Sequence, residues 1–168
     1  AMASAHEIQI AGADAHDAQR AAAAAMAYVL RIEHKYSRYR DDSVTTAINR
    51  AAGGARVAID AETSALLDYA GRCHALSGGA FDLTSGVLRR AWDFKGSPPR
   101  LPGPAALAAA VALIGWDRVE RGGGADGWLR LPEAGMEIDF GGIGKEYAAD
   151  RAATTLAERG VTAALVDL

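Results

Sequence analysis

A chain of 168 residues with 18 Lys and Arg, 21 Asp and Glu and a formal net charge of -3 is near the usual size of one domain and can bury a core without disulfide or metal staples. Its pI near 5.8 and interspersed charges leave no basic footprint for a nucleic-acid partner or an anionic membrane surface. The lone Cys73 forms no internal disulfide and leaves the compartment open. The longest low-charge stretch, Ala21 to Leu30, falls far short of the roughly 20 residues that span a bilayer, and the first residues lack the basic region and apolar core of an export signal.

Asp14 to about Lys35 reads as a helix, with Asp14 and Asp17 favouring its positive start and basic residues near its end. The predicted inward stripe is Ala22, Met26, Val29, Glu33 and Tyr36. Glu33 is the odd member, and a helix-end residue capping a nearby turn is the favoured reading, because a buried charge must find partners. Ala55 to Asp60 alternates as a short strand. A second helix opens around Thr63 with Leu66, Tyr69, Ala70 and Cys73 inward. Pro104 followed by Ala105 to Ile114 predicts a third helix, with proline in the first turn and Gly115 past its end.

Three strands are then expected, Arg118 to Arg121, Trp128 to Leu131 and Met136 to Phe140, separated by turn-forming residues in the manner of hairpin neighbours. A last helix, about Lys145 to Arg159, stops at Gly160 and leads into Val161 to Leu168, which reads as a buried strand. A buried strand normally leaves through a turn, so further sequence is expected beyond Leu168. Helices and hairpin-like strands without regular alternation predict an α+β fold in one domain spanning 1-168.

Three segments have the residue types for chemistry. Ile138-Asp139-Phe140-Gly141-Gly142-Ile143-Gly144-Lys145 runs a strand through glycines into a helix, which presents main-chain N-H groups to an anion. The spacing excludes a Walker A loop, because Asp139 and Glu146 stand where glycine and a hydroxyl are required, and Tyr147 stands where a dinucleotide fingerprint needs its third glycine. A merely tight strand-helix turn is an equal alternative. Ser77 to Thr84 places a carboxylate and a hydroxyl after two glycines, for which a glycine helix stop followed by an Asp/Thr turn is the leading reading. Tyr36 to Ser43, followed by Asn49, is a polar turn whose aromatic rings can pack on a planar ligand or on the core. The four histidines show no metal-ligand spacing.

Taken in order, Met2-Ala3-Ser4, Ser37-Arg38-Tyr39 with Asp42-Ser43 and Asn49, Gly79 to Thr84, Trp92-Asp93-Phe94 and Ile138 to Asp150 resemble the FAD:protein FMN transferase family, the ApbE-type flavin transferases. The resemblance covers essentially the whole chain. It implies an ApbE-like, T-fold-related antiparallel sheet with packed helices, of which this chain is the N-terminal portion. It implies a Mg²⁺-dependent transfer of FMN from FAD to a threonine hydroxyl of a target flavoprotein, a subunit of a membrane redox complex, with release of AMP.

The same resemblance implies that Met2 and Tyr39 contact the flavin, that Ala80, Phe81 and Asp82 line the FAD site, and that Asp139 hydrogen-bonds a polar edge of the ligand. Lys145 then lies beside FAD with a charge suited to its phosphates, and the Gly142 carbonyl is the expected metal ligand, with Gly144 its rival. No catalytic residue is assigned. Relatives with a lipoprotein signal imply periplasmic or inner-membrane placement, for which this chain carries no signal. Gly144 and Glu146 replace the family's alanine and glycine, and the family's Gly-Gly-Asp, His-x-x-Asp-Pro and remaining metal-ligand segments have no counterpart here. The expectation is therefore a poor or inactive catalyst as the chain stands. The rivals are an FAD-binding carrier module and an FAD pyrophosphatase that yields FMN and AMP.

Overall fold

Helix α1, Ala15-Tyr36, starts where the Asp14 carboxylate accepts the main-chain N-H groups of His16 at 2.9 Å and Asp17 at 3.4 Å, pairing an acceptor with the orphan donors of a helix start. It closes where Ser37 donates its N-H to the Glu33 carbonyl at 2.9 Å. The computed structural model describes residues 6-92, 101-123 and 127-168, and the chain divides into two compact units, residues 1-43 with 140-168, and residues 44-139.

In the first unit α1 packs against helix α5, Gly144-Glu158. The buried stripe of α1 is Ala21, Ala25, Val29, Ile32 and Tyr36, not the expected one, in which Ala22, Met26 and Glu33 are only half-buried. Two stripes at helical spacing share Val29 and Tyr36. The one turned inward carries alanines, opposite a helix that buries Gly144, Ala148 and Ala152, and small residues on both sides let the two backbones approach. The helices run antiparallel, since the Tyr36 and Phe140 rings lie 4.8 Å apart at one end and Arg151 Nε donates to the Tyr28 hydroxyl at 3.2 Å further along.

Strand β1, Glu7-Ala11, precedes α1, and strand β5, Ala163-Asp167, follows α5. They pair antiparallel with Gln9 opposite Leu165. Contrary to expectation β5 is not buried, because Ala163, Ala164 and Leu165 are exposed. Among the described residues this sheet has only two strands, which cover little of each other's faces.

The second unit holds helix α2, Val44-Arg50, strand β2, Val57-Ile59, helix α3, Ala61-Leu76, a 3-10 segment Leu83-Arg90, helix α4, Pro104-Val111, and strands β3, Glu120-Gly122, and β4, Gly127-Arg130. The three strands form an antiparallel sheet in the order β2-β4-β3, so the expected hairpin relation of the two later strands holds. Leu66, Leu67, Ala70, Leu83, Val87 and Leu129 are buried here. The expected inner face of α3 is therefore half right: Tyr69 is 49% exposed and Cys73 only half-buried, while Leu67 takes the core place.

Helix α4 has Pro104 in its first turn but stops three residues before the predicted Ile114. Arg118 Nη2 donates to the carbonyls of Ala112 at 2.9 Å and Ile114 at 3.0 Å, satisfying groups that a continued helix would have occupied. No helix among the described residues is long and apolar enough to cross a membrane.

Ala25 has no exposed surface, whereas Ala27 one turn-face away is exposed. Ala25→Leu is expected to destabilise the protein by about 1-3 kcal/mol through overpacking, and Ala27→Leu to stay within about 0.5 kcal/mol of the parent. Urea unfolding of the two variants measures the difference.

Candidate functional site

Met136 to Phe140, expected as a strand, joins no ladder, and Met136 to Asp139 are irregular. The reason lies in how Ile138 is paired. Its N-H donates to Asn49 Oδ1 at 2.8 Å, and its carbonyl accepts Asn49 Nδ2 at 3.0 Å. One carboxamide side chain thus supplies the donor and acceptor that a neighbouring strand would have supplied, which a residue only 1% exposed requires.

The residues on either side of Ile138 are held as firmly. Glu137 is 6% exposed and its carboxylate accepts from two consecutive arginines of the 3-10 segment. Arg89 Nε lies 2.9 Å from Oε2, and Arg90 Nη2 lies 2.6 Å from Oε1. A buried carboxylate needs such charged donors. The Asp139 N-H donates to the Leu83 carbonyl at 3.0 Å, and the Asp139 Cβ sits over Gly86, where an added Cβ would come within 2.8 Å. Asp139 is thereby fixed at main chain and Cβ, with its side chain half-exposed.

The Ala80-Phe81-Asp82 segment follows α3. Gly78 and Gly79 take φ of 62° and 84°, a region that glycine enters without the Cβ penalty, and so end the helix as the turn reading expects. The Asp82 carboxylate works locally. Oδ1 accepts the Thr84 N-H at 2.7 Å and the Thr84 hydroxyl at 2.6 Å, while Oδ2 accepts the Trp116 N-H at 3.1 Å. Thr84, fully buried, accepts the Gly115 N-H at 2.8 Å. Asp82 therefore organises the loop and its link to residues 115-116. The exposed part of the segment is Gly79 and Ala80, with Phe81 half-buried.

In the first unit, Tyr39 is 82% exposed. Arg38 holds it, donating Nη2 to the Tyr39 hydroxyl at 2.9 Å with the guanidinium 5.0 Å from the ring. Asp42 accepts from Arg40 Nε at 3.1 Å and lies 3.1 Å from His34 Nε2. The Arg40 hydrogen bond holds the Asp42 carboxyl below its ordinary range. The Phe140 ring anchored on Tyr36 opens the glycine turn, in which Gly141 and Gly142 are exposed. Helix α5 then begins after Ile143, which as N-cap residue makes no side-chain cap bond, and Lys145, half-buried, lies in that first turn.

The candidates thus fall into two sets. Tyr39, Gly142 and Lys145 belong to the first unit, and Ala80, Phe81, Asp82 and Asp139 to the second. Met2, Asp93 and Phe94 lie outside the described residues. For Mg²⁺ the Gly142 carbonyl is a suitable hard donor, but Mg²⁺ demands near-octahedral oxygen coordination. Among the described residues the cluster of three possible ligands is Asp14, His16 and Asp17, and the Asp14 carboxylate there is already the α1 cap. The described residues do not make up a complete magnesium site.

Sequence reading did not find Glu137, Arg89, Arg90 and Gly86. Two signals were available: an acidic residue within an apolar run, and a glycine inside the regular Leu83-Arg90 segment.

A sequence model of the ApbE family matches residues 2-168. The chain is 36% identical over 133 residues to the FAD:protein FMN transferase of Treponema pallidum, covering 77% of this chain and 37% of that protein. It is 28% identical over 137 residues to the Salmonella typhimurium FAD:protein FMN transferase, covering 79% and 39%. The crystal structure of Pseudomonas stutzeri flavinyl transferase ApbE, apo form, superposes with a TM-score of 0.83 at 26% identity, over 100% of this chain and 53% of that one. The chain thus spans well under half the length of those curated relatives and about half of that solved structure.

Asn49→Ala leaves both main-chain groups of buried Ile138 without partners and is expected to cost about 1-3 kcal/mol. Asn49→Asp keeps an acceptor for the Ile138 N-H but sets a carboxylate oxygen against the Ile138 carbonyl, and should also destabilise at neutral pH. Gly86→Ala should cost about 1-3 kcal/mol, because the Asp139 Cβ must move. Urea unfolding measures all three, and equal stability of Asn49→Ala and the parent would contradict the bracket.

Proposed function

The chain belongs to the ApbE family, and from that premise we propose that the whole protein moves the FMN half of FAD to a threonine hydroxyl of a target flavoprotein in a membrane redox complex. The threonine oxygen attacks the phosphorus on the FMN side of the diphosphate. The bond from that phosphorus to the bridging oxygen breaks, AMP leaves with that oxygen, and the hydroxyl proton passes to solvent. Such a reaction needs phosphate charge neutralised, the hydroxyl oriented and competing water excluded.

The observation that carries this reading is the start of α5. Two exposed glycines lead into a helix whose N-cap residue, Ile143, makes no side-chain cap bond, with Lys145 in the first turn. Donors and positive charge there suit a diphosphate. Tyr39 offers an exposed ring for an isoalloxazine face, and Met2 is assigned to the flavin with it. Asp139, held at its Cβ, serves a polar edge of the ligand. Ala80 and Phe81 are assigned to FAD by the family resemblance, and Asp82 shapes their loop. Mg²⁺ enters the proposal with the Gly142 carbonyl as one oxygen donor, the Gly144 carbonyl being its rival. When bound, the ion would supply charge neutralisation.

Incubating the protein with FAD, Mg²⁺ and a target flavoprotein that carries an acceptor threonine tests the reading. Flavin fluorescence that stays with the target after denaturation supports transfer. FMN and AMP appearing without an acceptor marks a pyrophosphatase, and reversible binding alone marks a carrier. Lys145→Ala is expected to raise the FAD Kd about three- to tenfold, a loss of about 0.7-1.4 kcal/mol. The difference should shrink as salt is added.

A further inference from the structure

Resting on the flavin-transfer reading, we propose that His74 is a positioning residue for that reaction, holding the Ala80-Phe81 edge in the shape the flavin substrate requires. Two kinds of contact converge on it. At the main chain, the His74 carbonyl accepts the Gly79 N-H at 2.9 Å and the Ser77 hydroxyl at 3.0 Å. At the side chain, Nδ1 lies 2.9 Å from the Phe81 carbonyl. A carbonyl only accepts, so Nδ1 carries the hydrogen. Ser77 completes the ring of contacts, its Oγ accepting the Phe81 N-H at 2.9 Å.

Both polar main-chain groups of Phe81 are thus held by side chains at the end of α3, His74 in its last turn and Ser77 at its C-cap. The imidazole also lies beneath the turn: a Cβ added at Gly79 would sit 3.7 Å from His74 Cε1. Without the ring, two successive glycines at positive φ leave the loop many alternative conformations. The Asp82 carboxylate lies 3.8 Å from Nδ1, too far for a hydrogen bond, and is occupied by Thr84 and Trp116. The Phe81 carbonyl is therefore the ring's bonding partner, and His74 acts on the loop without reacting itself.

The test uses His74→Phe, which keeps a ring but removes the donor, and His74→Asn, whose amide nitrogen takes the place of Nδ1. Two readouts are needed. Hydrogen exchange at the Gly79-Asp82 amides should speed up in His74→Phe and return towards the parent rate in His74→Asn. The FAD Kd should rise about five- to tenfold in His74→Phe, with recovery to within about twofold in His74→Asn, while kcat at saturating FAD stays near the parent value.

Unchanged exchange in His74→Phe overturns the positioning role whatever the flavin data show. Faster exchange with an unchanged FAD Kd also overturns it, since the loop would then not serve the flavin. A parent protein that binds no FAD, with the exchange effect intact, places the failure in the flavin-transfer reading and removes the functional half of this inference with it.

Discussion

A buried main-chain N-H and its carbonyl must both be paired, and at Ile138 a single side chain does it. Asn49 gives the segment 137-139 what a strand neighbour would give, at 2.8 and 3.0 Å, and so allows that segment to approach the 3-10 segment without belonging to a sheet. The remaining contacts build on this. The arginine pair holds Glu137, the Leu83 carbonyl takes the Asp139 N-H, and Gly86 makes room for the Asp139 Cβ. Replacing ladder bonds by side-chain bonds makes the position of Asp139 depend on a few identifiable residues.

The same logic recurs in the loop after α3. Asp82, Thr84, Ser77 and His74 all bond to main chain, so polar side chains in the motif regions work first as scaffolding. This shifts the expected ligand contacts towards what scaffolding leaves exposed: the Gly79-Ala80 edge, the Tyr39 ring, and the Gly141-Gly142 turn. Small residues suit that arrangement, because backbone donors are reachable only where no Cβ covers them.

Much of the architecture was legible in the sequence. The long α1 and α5, the Pro104 start of α4 and the α+β class follow from periodicity, capping and turn residues, signals that depend on near neighbours in sequence. What failed depended on distant partners. The stripe of α1 shifted to alanines because α5 presents alanines. The strand expected at Met136 to Phe140 read as apolar and extended, yet its pairing was decided by Asn49, 89 positions away. The burial expected for β5 assumed a covering face that the two-stranded sheet does not provide. Of the site, the glycine turn and Lys145 were visible as a motif. Asp82 illustrates the opposite case, a motif carboxylate whose bonds show the plain Asp/Thr turn that its local sequence suggested.

The central claim is that main-chain N-H groups at the entry of α5 receive a diphosphate. Amide chemical shifts recorded while the protein is titrated with FAD test it most directly. The account predicts saturable shifts at Gly141, Gly142, Gly144 and Lys145 that are reproduced in part by inorganic pyrophosphate. Saturation of binding with those amides unmoved would contradict it.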